Sequence, residues 1–93
     1  MKKVARTQSY LDDLSKIEAR IAEGNPGAAF DLWFHIDDQV AQLADPNFPR
    51  KPGRVQGTHE LVAHPNYIVI LEERARTVTA LNVVHSRQKW PKD

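Results

Sequence analysis

The densest run of chemically able side chains in this 93-residue chain is His85-Ser86-Arg87-Gln88-Lys89-Trp90. Histidine supplies a group that titrates near neutral pH. Arginine and lysine donate hydrogen bonds to phosphate or carboxylate, and tryptophan offers a face for stacking. The same residues also have a plainer reading. His85 would be a strand-terminal ring bonded to a neighbouring loop, and Trp90-Pro91 a lid over the end of a small core. Glu60 likewise reads as a solvent-facing strand residue paired with Arg54 or Arg87, an arrangement that contributes little.

Other chemistries are poorly served. The four histidines lack spacing suited to zinc: His35 lies on the polar side of a helix, His59 and His64 on opposite faces or in a turn, and His85 strands away. No metal and no cofactor is expected. Gly53 and Gly57 suggest a phosphate loop, but no helix follows to present its N–H groups. Cysteine is absent, which removes disulfides and thiolate sites and suits a reducing cytoplasm. The basic start, Met1 to Thr7, has no apolar stretch behind it, so neither a secretory signal nor a membrane span is expected.

The elements that must position these residues follow from periodicity. Lys3 to Thr7 suits a short edge strand. Ser9 is a plausible helix cap, and Tyr10, Leu14, Ile17 and Ile21 behind it recur on one helix face. Gly24 can end that helix in a left-handed conformation, and Asn25-Pro26 restarts one. Two helices joined this tightly must turn back on each other. The second runs to about Ala44, before Asp45-Pro46. Its stripe of Ala29, Leu32, Trp33, Ile36, Val40 and Leu43, widened by Phe30, Phe34 and Ala41, predicts contact with both a sheet and the first helix. Trp33 and the two phenylalanines could form a partner site, but are assigned to the core in preference.

Asp45 to Gly57 is proline- and glycine-rich and reads as an irregular connection. After it the period becomes two. Glu60–Ala63 is a strand, His64-Pro65-Asn66 a turn, Tyr67–Leu71 a mid-sheet strand and Thr77–His85 a third, following the turn at Glu73–Arg76. Short turns make these an antiparallel meander. The predicted fold is α+β, a single domain over residues 1–93: a short N-terminal strand and a helical hairpin packed on an antiparallel β-sheet. A chain of this length, 41% hydrophobic, builds only a small core, so activity must sit on the surface or in a shallow groove. Acids outnumber bases up to Pro49 and the order reverses from Arg50, although the net charge is only +1. A basic half attracts nucleic acid or an acidic protein tail, or merely keeps a strand edge soluble.

Five ordered fragments carry a family resemblance: Asn25-Pro26; Gly53-Arg54; Gly57-Thr58-His59-Glu60-Leu61-Val62; Asn66-Tyr67-Ile68-Val69-Ile70; and Val83-Val84-His85-Ser86-Arg87-Gln88-Lys89-Trp90-Pro91. In that order, over nearly the whole chain, they make it similar to the RelE/ParE superfamily of toxins of type II toxin–antitoxin systems. The resemblance is to the ParE-like, plasmid stabilisation branch. His59 departs from the family pattern, which has arginine there, and Glu72-Glu73 stands where many relatives read Tyr-Arg. Both changes subtract positive charge from the sheet.

The resemblance implies a cytoplasmic toxin that binds and poisons DNA gyrase until a cognate antitoxin, often through an acidic disordered tail, neutralises it. It implies Arg54, Tyr67, His85, Arg87, Lys89 and Trp90 as target- or partner-binding residues. In the superfamily's nuclease branch, ribosome-dependent cleavage of mRNA would instead need a base, an acid and cationic support. Glu60, His85, and Arg54 with Arg87 would fill those roles if they converge. A toxin-derived module that only binds its antitoxin is the third reading.

Overall fold

The computed structural model describes residues 1–91. In chain order it holds β1 (Lys3–Arg6), α1 (Gln8–Ala22), α2 (Pro26–Gln42), β2 (Lys51–Pro52), β3 (His59–His64), β4 (Tyr67–Glu73) and β5 (Thr77–His85). The five strands form one sheet in the order β1-β5-β4-β3-β2. β3, β4 and β5 are the expected antiparallel meander, and β1 is an edge strand. Because β1 runs parallel to β5, the sheet is mixed.

Thr7, not Ser9, caps α1. Its hydroxyl accepts the Tyr10 N–H at 3.0 Å and donates to the Leu81 carbonyl at 2.7 Å. One side chain thereby satisfies a free helix N–H and ties the helix to β5. The second bond is tertiary, which is why local spacing pointed elsewhere. Gly24 also departs from expectation, since its backbone is not left-handed. Glu23 caps α1 in right-handed geometry, and the Gly24 and Asn25 N–H groups both donate to the Ile21 carbonyl, at 3.1 and 2.9 Å. Those bonds close the bend without an αL residue. Asn25 then caps α2 as expected, its side chain accepting the Ala28 N–H at 3.1 Å, with Pro26 first in the helix.

The irregular connection contains a strand the sequence did not reveal. Lys51 and Pro52 pair with Glu60 and His59. Two residues are too few to show a period, and Pro52 sits at the sheet edge, where its missing N–H costs nothing. Just beyond, the Gly53 N–H donates to the Thr58 carbonyl at 2.8 Å, and a β-carbon at Gly53 would stand 2.9 Å from that same oxygen. Gly57 takes φ +85° to close the loop.

The main core lies between the hairpin and one sheet face. Tyr10, Leu14, Ile36, Val40 and Leu43 pack on Leu61, Ala63, Val69, Leu71, Val78, Ala80 and Val83. At roughly 1.5–3 kcal/mol for each large apolar side chain buried, these residues dominate the stabilisation of the fold. Within this layer the Tyr10 hydroxyl donates to Asp37 Oδ1 at 3.0 Å, and Arg6 Nε donates to the same oxygen at 2.8 Å. That pair of bonds joins β1, α1 and α2. Trp33 and Leu32 pack partly against the core, but Phe30 and Phe34 do not enter it. They remain 60% and 58% exposed, with ring centroids 6.2 Å apart. α2 meets α1 and the sheet on two sides, and the phenylalanines fall on the third.

Candidate functional site

Residues paired across neighbouring strands share a sheet face, so the register decides which candidate residues can meet. Tyr67 opposes His64 on β3 and His85 on β5, and its side chain packs with the helix-side core. Glu60 opposes Ile70. Ile70 belongs to a second apolar cluster, with Ile68, Val84, Leu81 and Trp90, on the other side of the sheet. Glu60 and His85 therefore lie on opposite faces. The base and the acid of the nuclease reading are not brought to one phosphate.

On the Glu60 face the side chain is 1% exposed, which overturns its reading as a solvent-facing residue. Its Oε2 accepts the Arg54 backbone N–H at 2.9 Å and lies 3.7 Å from Arg54 Nε. The Arg54 guanidinium, on a side chain 44% exposed, also donates to the Trp90 carbonyl at 3.3 Å. Arg54 thus bridges the buried carboxylate and the C-terminal tail. Glu60 Oε1 and Trp90 Nε1 are buried on this side without partners. The Trp90 ring is half-buried against Ile68, Ile70 and Val84, as a lid would be, but on the face away from the helices.

On the other face a chain of rings runs from α2 to β5. His35 and His64 meet edge to face at 6.4 Å, His64 and Tyr67 at 5.8 Å, and Tyr67 and His85 edge to face at 5.3 Å. His85 is half-buried, and its Nδ1 accepts the Arg87 N–H at 3.0 Å; His64 Nδ1 accepts the Asn66 N–H at the same distance. In the neutral rings each proton therefore resides on Nε2. His35 Nε2 sits 2.8 Å from the Ala63 carbonyl and must donate to it. Counting strands along the chain separated these histidines. A two-residue turn after His64 sets it opposite Tyr67, and the β4–β5 register brings His85 to the other flank. The turn itself was legible in the sequence, and the register it sets across three strands was not.

The tail after β5 is compact, held by Ser86 N–H to the Asn66 carbonyl, 2.8 Å, and His85 N–H to Gln88 Oε1, 3.3 Å. Arg87 and Lys89 are exposed on it, so a cationic rim persists. Of the partner-binding set, Tyr67 and His85 are brought together on one face and Arg54 and Trp90 on the other. Beside the outer edge of β3 lies a groove of about 440 Å³, walled by Gln39, Phe48, Pro49, Arg50 and Val62. β2 pairs only as far as Glu60, so the backbone of Leu61 and Val62 borders this groove with no strand on that side. Among the described residues no group of three or more acidic, histidine or cysteine side chains could hold a metal, and no helix is long and apolar enough to cross a membrane.

Comparisons with known proteins agree with this architecture. The "Putative toxin Y4kP" of Sinorhizobium fredii is 33% identical over 90 residues, 97% of this chain and 94% of that one. A solved structure described as the chromosomal ParDE TA system from P. aeruginosa superposes with a TM-score of 0.78 at 19% identity, covering 91% of this chain and 96% of that one. YafQ from E. coli follows at 0.63 and 9% identity, covering 92% and 94%. At such identities these two structures share the fold alone. The family model for the ParE toxin of the type II toxin–antitoxin system parDE matches residues 4–90, from β1 through Trp90. The chain belongs to this ParE toxin family.

Proposed function

We propose that this chain arrests growth by binding and poisoning DNA gyrase, and that a cognate antitoxin neutralises it by covering the same molecule. The single observation favouring a binding toxin over an enzyme is the separation of Glu60 from His85 by the sheet. Acid–base cleavage of RNA requires both groups within hydrogen-bond reach of one substrate. The exposed Arg87 and Lys89, with Arg54 and Trp90 on one flank and Tyr67 and His85 on the other, supply a cationic, aromatic-flanked surface for a macromolecular target. The groove beside β3, with its unpaired strand edge, suits an antitoxin segment that adds a strand or lays down a helix.

The test is supercoiling by purified gyrase with the purified chain added, run beside a coupled translation reaction. Inhibition of supercoiling with translation intact is the expected result. Cleaved message and intact supercoiling would replace this reading with a ribosome-dependent endoribonuclease. The His64–Tyr67–His85 ring cluster is the observation that favours that second reading. Expression that leaves growth unchanged would leave a module that only binds antitoxin.

A further inference from the structure

Between α1 and the end of β5 lies a notch of about 160 Å³ that none of the expected site residues except Tyr67 and His85 anticipates. Its helix wall is Lys16 and Arg20, one turn apart, both exposed and without a hydrogen bond or ion pair among the described residues. Its strand wall is Tyr67, His85 and the tail residue Gln88. The one acid present, Asp13, is already committed: its Oδ2 accepts Asn82 Nδ2 at 3.1 Å and the Val83 N–H at 3.0 Å. Two unneutralised cations and an imidazole whose Nδ1 accepts the Arg87 N–H, leaving Nε2 as the donor, thus line one small cavity. Such a set recognises an oxyanion.

We propose that this notch receives a carboxylate side chain from an acidic segment of the cognate antitoxin. Three observations favour a protein carboxylate over a nucleic acid. The Tyr67 ring is already packed against His64 and His85, at 5.8 and 5.3 Å between centroids, and is half-buried, which leaves less of it for stacking a base. Asp13 sits in the wall and would repel a succession of phosphates. Ile17 and Val83 supply an apolar floor that suits an amino-acid stem. An occupant would rest against His85 and Gln88, at the root of the cationic tail, and so mask the surface assigned to the target. The inference rests on the toxin–antitoxin reading above.

The experiment is calorimetric titration of purified antitoxin into the wild-type chain, into Lys16→Glu/Arg20→Glu and into Lys16→Ala/Arg20→Ala. A control, Arg74→Glu/Arg76→Glu, reverses charge at the distant β4–β5 turn. Both residue pairs are exposed, so thermal midpoints should match wild type. The reversal should weaken binding by about 10- to 100-fold and the alanine pair by less, with a shallower salt dependence for both, while the control binds normally. An antitoxin Glu→Lys change at the contacting position should restore affinity for the reversed variant. Unchanged affinity for both Lys16/Arg20 variants overturns the proposal, as does an equal loss in the control. Lost binding of a single-stranded RNA 20-mer with antitoxin affinity intact overturns it in favour of nucleic acid. Growth arrest by the wild-type chain is scored separately: its absence would sink the toxin reading, whereas the titration alone decides the notch.

Discussion

Glu60 and Arg54 are bound through the backbone before they are bound through charge. The Arg54 N–H donates to Glu60 Oε2 at 2.9 Å, whereas the guanidinium Nε stands 3.7 Å from the same oxygen. The buried carboxylate is therefore an anchor for the loop after β2, and through Arg54 for the Trp90 tail. A neutral amide oxygen can accept the same N–H.

Glu60→Gln should accordingly fold with a stability within about 1 kcal/mol of wild type and retain full growth inhibition. A general base replaced by an amide would lose at least about 100-fold in activity. His85→Gln should likewise retain inhibition if binding is the mechanism. Turbidity of induced cultures and thermal unfolding of the purified variants check both outcomes. Toxicity lost from both variants while they remain folded would restore the enzymatic reading.

Glu73 should make the protein acid-sensitive. Burial by itself would raise its carboxyl, but the Lys2 hydrogen bond at 2.7 Å and the charges of Arg50, Lys2 and His59 outweigh burial and hold it below its ordinary 4.5. The unfolded chain titrates at the ordinary value, so the native state retains the ionised form to lower pH. This contribution is complete above about pH 4.5 and is lost as pH falls through the lower, folded value. Denaturant unfolding of Glu73→Gln across pH 3 to 7 should show a flatter acid limb than wild type.

Phe30 and Phe34 should contribute almost nothing to stability despite their size. Phe30→Ser and Phe34→Ser are expected within about 0.5 kcal/mol of wild type, as for other exposed positions. Leu14→Ala, at a site with no exposure, should cost about 2–5 kcal/mol. Urea midpoints compare the three directly. A large loss at either phenylalanine would mean that α2 packs differently in solution.

Gly53→Ala should destabilise the chain by about 1–3 kcal/mol, because the added methyl meets the Thr58 carbonyl at 2.9 Å and must displace backbone. Gly27→Ala is the comparison: its nearest neighbour is Asn25 Oδ1 at 3.6 Å, and it occupies a helix, so the substitution should be neutral or stabilising. Thermal midpoints of the two variants, run side by side, check the contrast.

Periodicity, cap residues and turn signals placed both helices, the Asn25-Pro26 restart and the three-strand meander, because each is encoded by neighbours within a few residues. The ordered fragments from Asn25 to Pro91 were also enough to identify the family. Contacts made across the sheet were not encoded locally. Thr7 became the α1 cap where the Leu81 carbonyl accepts a hydrogen bond from its hydroxyl, and β2 exists only because β3 pairs with it. Glu60 and His85 could serve the nuclease reading only if they converged, yet a pleated sheet sends alternate side chains to opposite faces, and the register set them on different sides. Lys16 and Arg20 carried no motif, and the packing of α1 against β5 made them the wall of a notch. Residue type and spacing determine which elements form. Pairing register and helix orientation, which depend on contacts dozens of residues apart, decide which side chains share a surface.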